Sequence, residues 1–332
     1  MKRIGGLFDS IWDHQNLVAS FYLAARGKRR CGEIDHFRAN LQRELRDIAL
    51  SIRDGSFTFG PYRSFSVRDT KTRQIKAPTF RDRVVHHAII RVAGPIFEQG
   101  AISDSYACRS GRGQHLALKR AAAFTRRNPW YGKIDIRRFY DRVDHQIVRQ
   151  RLRCRFREAR LLGLFDRLID SYCVEPGMGI PIGALTSQYL GNFYLDAMDS
   201  RLKASGLCRY YVRYMDDTVI WGDESTLRQI RPLVFEAVAA IRLDIKHGGE
   251  WNRCSRGVPF VGFVVYPDRV RLGREARKRL RRQWNRLRKR FDDGLLSEAE
   301  YQNRSTALFA HARHADDVAW RRNLLYLGGG GE

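Results

Sequence analysis

Hydrophobic residues recur at steps of three and four through Phe37, Leu41, Leu45, Ile48 and Ile52, so the first fifty or so residues are expected to be helical. Asp54-Gly55 breaks that pattern and Gly60-Pro61 opens a more extended stretch. Two short strands are predicted at Phe65–Val67 and Gln74–Ala77, on either side of the polar turn Asp69–Thr72. A helical pattern starts at Arg81 and is expected to stop at Ala93, where Gly94-Pro95 follows. Further on, Gly132–Ile136 reads as a short strand running into the charged, aromatic stretch Arg137–Asp144. Leu185–Leu202 reads as a helix after the turn-rich Pro176–Gly183. Tyr210–Trp221 is β-prone on both sides of a polar centre, Met215-Asp216-Asp217, the outline of a tight hairpin. Val258–Tyr266 is a further hairpin-like apolar segment ending at Pro267. Near the end of the chain Leu280, Trp284, Leu287 and Phe291 fall on one face of a helix.

Alternating strand-like and helix-like pieces over 332 residues predict an α+β protein of two or three subdomains, at roughly 100–200 residues each. A 43% hydrophobic content excludes disorder for most of the chain. With 61 Lys+Arg against 36 Asp+Glu the formal net charge is +25, and a folded chain this basic calls for a polyanionic partner. Eleven of the cations lie between Arg271 and Arg290 beside one acid, Glu275, a density that exceeds what a solvated helix face needs and suggests a phosphate-tracking surface. A membrane surface is the competing partner, but the sequence shows no amphipathic anchor, no apolar run near the roughly 20 residues of a bilayer span and no continuous signal segment. The six cysteines contain no CxxC pair, which argues against a zinc finger or disulfide scaffold and fits reduced thiols in a cytoplasm. His311 and His314 form an HxxH without an acidic or Cys partner at zinc-ligand spacing.

The candidate chemistry lies in carboxylates. Asp135 ends the strand Lys133-Ile134-Asp135-Ile136, and Asp216-Asp217 sits at the centre of the hairpin. Taken singly, Asp135 reads equally as a strand-end residue satisfied by a turn amide, and the doublet as ordinary turn residues. Crowded carboxylates raise each other's pKa, a conflict that a divalent metal resolves. Mg²⁺ prefers hard oxygen ligands, and two such ions roughly 3.5–4 Å apart stabilise the attacking and leaving oxygens of an in-line displacement.

Tyr214-Met215-Asp216-Asp217 resembles the catalytic box of reverse transcriptases, and further blocks follow in that family's order over residues from about 60 to 270. Ile75–Pro78 through Asp82–Val85 resembles the first fingers block; Tyr106–Arg109 with Gly111-Arg112-Gly113 and His115 resembles the second. Lys133–His145 resembles the block that holds the first metal Asp, Gly179–Asn192 the template-and-nucleotide block, and Ile245-Lys246 and Val261-Gly262-Phe263 the final palm blocks. The resemblance implies a right-hand polymerase fold. Residues 1–130 would form an N-terminal helical segment and fingers, and 131–270 an antiparallel-sheet palm with a fingers insertion at about 146–178. Residues 271–332 would form a basic helical thumb. Within the family, Ile182-Gly183 through Ser187-Gln188 departs from the Gln-Gly and Ser-Pro ends usual in intron and retron enzymes. It is similar to the reverse transcriptases of diversity-generating retroelements, which copy a template-repeat RNA into cDNA with errors opposite adenine, with a small basic accessory variability protein. The short C-terminus points the same way.

By that resemblance Asp135 and Asp216 would hold two Mg²⁺ ions (Mn²⁺ as a substitute) with the Ile136 carbonyl, and Asp217 would be a further ligand or a neighbouring charge. Arg73 and Lys71 would grip the dNTP triphosphate, with Lys71 equally a solvated turn residue. Tyr140 would crowd the nucleotide 2′-position, its alternative being a core aromatic. Ile182, Gly183 and Gln188 would line the nucleotide pocket; Arg83, Arg109 and Arg112 would meet the template; Arg277, Lys278, Arg281 and Arg288 would follow the RNA/cDNA hybrid. His86 stands where many relatives carry Gln and has no assigned role; Lys246 lies near the place where the family's palm lysine would protonate the pyrophosphate leaving group, with a surface lysine as the favoured reading. The implied setting is a bacterial or phage-encoded cytoplasmic protein. The alternatives are a group II intron-like or defence-associated reverse transcriptase of ordinary fidelity, and a catalytically idle nucleic-acid scaffold.

Overall fold

A computed structural model of the chain describes residues 3–28, 32–68 and 72–326. Lys71, a predicted triphosphate contact, lies outside the described residues. Four helices come first: α1 (Phe8–Trp12), α2 (His14–Ala25), α3 (Gly32–Ala39) and α4 (Leu41–Asp54). Asp13 caps α2 by accepting from the Asn16 amide, and α4 ends at Gly55, whose φ of 83° is the left-handed conformation that closes a helix. The predicted strand pair follows as β1 (Arg63–Arg68) and β2 (Thr72–Ala77), an antiparallel hairpin with Phe65 opposite Ile75.

Helix α5 (Phe80–Gly100) corrects one expectation, because it does not stop at Gly94-Pro95. Proline removes one backbone donor and crowds the carbonyl four residues back, a cost of about 3 kcal/mol. Burial pays for it: α5 packs against α2 and the later helix α10 (Leu185–Ala204), and Ala93, Gly94 and Phe97 are all buried around the proline. After α5 the chain forms α6 (Gln114–Arg127), β3 (Trp130–Asp135), α7 (Phe139–Arg142), α8 (His145–Arg155), α9 (Ala159–Asp170) and α10.

The hairpin predicted around Met215-Asp216-Asp217 is β4 (Tyr210–Tyr214) and β5 (Asp217–Gly222). With β3 and β6 (Glu250–Arg253) it makes an antiparallel sheet in the order β4-β5-β3-β6. Strand alternation splits this sheet between two cores. Ile134, Tyr211 and Ile220 join the larger one with α5, α10 and α11 (Glu224–Ala239). Tyr131, Val212, Val219 and Trp221 join the smaller one, against α6 and a second sheet of β7 (Val258–Phe260), β8 (Phe263–Val265) and β9 (Val270–Leu272). That second core extends into α12 (Arg274–Asp292), α13 (Glu298–Ala310) and α14 (Val318–Tyr326) through Leu280, Trp284 and Leu324. The mixed α+β architecture agrees with the sequence, and among the described residues no helix is long and apolar enough to cross a membrane.

Candidate active site

The register of β3 against β5 puts Asp135 directly opposite Asp217. In β4–β5 Tyr214 pairs with Asp217, leaving Met215 and Asp216 as a two-residue turn. Asp216 and Lys246, 81 and 111 residues after Asp135, are thereby gathered with it at one sheet end.

A cleft of about 1100 Å³ opens there, lined by Asp135, Ile136, Tyr140, Asp216, Arg73 and Ile182, among others. The sheet contributes the acids, the β1–β2 hairpin contributes Arg73, Gln74 and Lys76, and the 244–247 segment contributes Lys246 and His247. The hairpin is tied to the cleft floor by the Lys76 amide, which donates to the Ile182 carbonyl at 2.7 Å. Gly183, at φ 120°, allows that approach, since a Cβ there would stand 2.7 Å from Ile75 Cγ2 and 3.2 Å from the Lys76 carbonyl oxygen.

Burial pushes the Asp216 carboxyl up to about 6; Asp135 and Asp217 push it further in the same direction, and Arg73 works against them. Asp217 behaves differently. It does not line the cleft, and burial raises its pKa while Lys133 and the Val261 amide lower it. The Val261 amide donates to Asp217 Oδ2 at 3.2 Å. Lys133 Nζ donates to the Pro259 carbonyl at 2.8 Å and stands 3.5 Å from Asp217 Oδ1 as an ion pair, which leaves that buried oxygen without a hydrogen bond.

Among the described residues no group of three or more His, Cys, Asp or Glu side chains converges as a ready metal site. Of the four carboxylates lining the cleft, Asp141 pairs with Arg138 and Asp244 lies on the 244–247 segment, which leaves two, Asp135 and Asp216, at the sheet end with the Ile136 backbone beside them. Hard oxygen donors in that number suit Mg²⁺, which usually takes one or two protein carboxylates and completes its shell with water and phosphate.

Several expected site residues are committed elsewhere. Arg109 is not free to meet a template: its Nε donates to Glu98 at 2.9 Å, and its Nη1 to the Ile102 and Ser105 carbonyls at 2.5 and 2.8 Å. Gln188 accepts from the Cys108 thiol at 3.4 Å and lies outside the cleft lining. Arg83 is half-buried on α5, also outside it, while Arg112 is exposed and stacks over Tyr106 at 5.4 Å. Tyr140 is partly buried yet lines the cleft, so it is both a packing residue and a cleft residue. On α12, Arg277 pairs with Asp317 and lies over Trp320, Lys278 pairs with Glu275, Arg288 pairs with Asp292, and Arg281 lines a separate groove with Arg277 and Lys278.

Three residues take places that the sequence left unassigned or did not favour. Lys246 is not a plain surface lysine but lies in the cleft with Nζ 3.9 Å from Asp135. His86 is fully buried, its Nδ1 3.3 Å from the Thr186 hydroxyl. Lys133 clamps Asp217; its signal was a lone cation in an otherwise apolar strand, two positions before an acid. His311 and His314 meet His115, whose ring stacks on His314 at 3.5 Å, without forming a metal cluster.

A family model for reverse transcriptase (RNA-dependent DNA polymerase) matches residues 66–249, which hold most of the β1–β2 hairpin, the acids and the whole cleft lining. The chain is 26% identical over 173 residues to protein YkfC of Escherichia coli, covering 48% of this chain and 45% of that protein. It is 23% identical over 167 residues to the group II intron-encoded protein LtrA of Lactococcus lactis, covering 48% and 28%. It is also 30% identical over 99 residues to the nuclear intron maturase 1, mitochondrial, of Arabidopsis thaliana, covering 29% and 14%. The chain spans less than half the length of each of these relatives. With the family match extending over more than half of its residues, the chain belongs to the reverse transcriptase family.

Proposed function

We propose that the chain is an RNA-directed DNA polymerase of the diversity-generating type, extending a primer on a template-repeat RNA with errors at adenines. The observation that carries the polymerase reading is the shared cleft of Asp135, Asp216, Arg73 and Tyr140, drawn from three separate stretches of chain. In this reading the β1–β2 hairpin belongs to the fingers, the four-stranded sheet to the palm, and α12–α14 to the thumb.

Asp135 and Asp216, with the Ile136 carbonyl, would hold Mg²⁺ or Mn²⁺. When bound, the ions supply activation of the primer hydroxyl and charge neutralisation at the departing pyrophosphate. Arg73, on the hairpin that closes the cleft, offers a guanidinium fork to the triphosphate. Tyr140 narrows the floor next to Asp216 and excludes a ribose 2′-hydroxyl by sterics. Lys133 holds Asp217 against the Val261 amide and so ties the catalytic turn to the loop of residues 259–262. The cations of α12 follow the hybrid's phosphates, giving an affinity that falls steeply with salt.

The diversity-generating part rests on Ile182, which lines the cleft where an amide side chain would offer hydrogen bonds to the nascent pair. Loss of such a polar contact weakens discrimination between right and wrong nucleotides. The second reading, an intron-type enzyme of ordinary fidelity, is favoured by the intron-encoded relatives. Primer extension on an adenine-containing RNA with Mg²⁺, with sequenced cDNA, separates them. Wild type should give product with errors concentrated opposite adenine, Asp216→Asn should give none, and Ile182→Gln should lower the adenine errors. Accurate wild-type product supports the intron-type reading. Silence of wild type, even with its own RNA and accessory protein added, refutes the polymerase.

A further inference from the structure

Beneath the catalytic turn lies a buried ion cluster that no nucleotide or template contact explains. Arg213, the last inward-facing residue of β4 before Tyr214, is fully buried. Its guanidinium is saturated. Nε donates to both Asp199 oxygens at 2.9 Å; Nη2 donates to Asp199 at 2.6 Å and Asp196 at 3.0 Å. Nη1 donates to Asn192 Oδ1 at 2.9 Å and to the Met215 carbonyl at 3.2 Å. Asn192, Asp196 and Asp199 are spaced four and three apart on α10, so they form one stripe facing the strand. The stripe is itself anchored, because Asn192 Nδ2 donates to the Ala107 carbonyl at 2.8 Å and the Tyr211 hydroxyl donates to Asp199.

Stability alone does not account for such a cluster. Replacing a buried ion group by apolar residues of similar size is often neutral or stabilising. One contact of the six differs from the rest: the bond from Nη1 leaves the helix stripe and reaches the turn. Met215 has φ 53°, a left-handed conformation that a side-chain-bearing residue holds only when its surroundings impose it. Its carbonyl belongs to the peptide that leads into Asp216, so the direction of that carbonyl and the direction of the Asp216 side chain are set together.

We propose that Arg213 is a positioning residue: braced by the α10 stripe, it fixes the Met215 carbonyl and thereby aims Asp216 into the cleft. The role rests on the metal-dependent polymerase reading of Asp216. Arg213 touches neither substrate nor metal ligand and acts only through the peptide it holds.

Two variants test it on protein shown to be monodisperse and to melt cooperatively. Arg213→Lys keeps the charge but lacks the fork needed to serve the stripe and the turn together. The triple variant Arg213→Met, Asp196→Asn, Asp199→Asn removes the cluster's charge, so that no lone buried carboxylate is left to unfold the protein. Each is measured for single-nucleotide extension kcat, KM for the RNA/DNA hybrid, and Mn²⁺ affinity by electron paramagnetic resonance. A misaimed carboxylate predicts a fall of about 100-fold in kcat and a rise of about tenfold in Mn²⁺ Kd, with hybrid KM unchanged. A merely structural role moves kcat only with the folded fraction and leaves the Mn²⁺ Kd of the folded protein at the wild-type value. That result in either variant overturns the inference, as does failure of both to fold. A wild type that neither extends primer nor binds Mn²⁺ refutes the polymerase reading itself, whereas an active wild type matched by its variants refutes only the role of Arg213.

Discussion

Gly183→Ala is the most exacting single-atom test of how the β1–β2 hairpin is held over the cleft. The added methyl would meet Ile75 Cγ2 at 2.7 Å, below any real Cβ contact, and the Lys76 carbonyl oxygen at 3.2 Å. The same backbone is pinned by the 2.7 Å bond from the Lys76 amide to the Ile182 carbonyl, so neither neighbour can retreat alone. In addition, φ 120° is a region that side-chain-bearing residues rarely occupy, at a cost of about 1–3 kcal/mol. The usual gain from Gly→Ala, about 0.4–1 kcal/mol through the unfolded chain, does not offset this at an incompatible φ. The protein can absorb the strain in two ways. If the hairpin stays, the full about 1–3 kcal/mol appears as a lower urea midpoint. If the hairpin swings away, stability is spared, Arg73 moves from the cleft, and the KM for dNTP rises about tenfold, the equivalent of about 1.4 kcal/mol. Urea denaturation and steady-state extension at varied dNTP read both outlets. A variant with wild-type midpoint and wild-type dNTP KM would show that Gly183 is not what lets the hairpin seat, and the reasoning would fail.

Lys133→Met should lower stability at neutral pH by about 1–3 kcal/mol, because Asp217 loses its cation while staying partly buried; an unchanged urea midpoint contradicts the clamp. Tyr140→Val should reduce the preference for dNTP over rNTP, read as a ratio of kcat/KM, by about 100-fold; an unchanged ratio would leave Tyr140 a packing residue only. His86 is pushed down to about 3, chiefly by burial and then by His87 and Arg83, so the folded state holds it neutral. A folded pKa below the unfolded 6.5 gives stability that is complete above pH 6.5 and lost as pH falls toward 3. At pH 5 the loss is about 2 kcal/mol. His86→Gln should remove that acid sensitivity, and a difference between wild type and variant that is equal at pH 7.5 and pH 5 would refute it.

The sequence was legible where the signal was local. β-Prone residues on both sides of a polar centre or turn located β4–β5 and β1–β2, and the left-handed Gly55 sits where Asp54-Gly55 broke the helical pattern. It misled where a local rule met a strong tertiary environment: Pro95 is a reliable helix stop in isolation, but Phe97 beyond it is buried against Phe156, Phe165 and Phe193, and that packing carries α5 another turn. The cations were hardest to assign. Nothing in the residue type separates Arg73, which faces the cleft, from Arg109, whose donors are taken by Glu98 and two carbonyls of its own loop. Likewise the sequence left Asp217 as either a further ligand or a neighbouring charge, and it is the return of residues 259–261, some forty positions later, that holds it by the Val261 amide outside the cleft lining.

That distinction bears on how three acids persist at one end of a sheet. Each has its own cation, and each cation comes from a different part of the chain: Lys246 at 3.9 Å from Asp135, Arg73 acting on Asp216, and Lys133 at 3.5 Å from Asp217. The pairs differ in how tightly they are held. Lys246 and Asp135 are roughly half exposed, at 40% and 51%, and an exposed pair of that kind is worth only about 0–1 kcal/mol. Such a pair separates at little cost when phosphate or a divalent ion competes for its members. Lys133 is wedged between the Pro259 carbonyl and Asp217, and releasing it would strand a buried charge. In the polymerase reading, therefore, Asp135 is free to exchange its cation for metal and nucleotide at every cycle. Asp217 keeps its own partner throughout, and its contacts with Lys133 and the Val261 amide hold the turn and the loop of residues 259–262 in one piece.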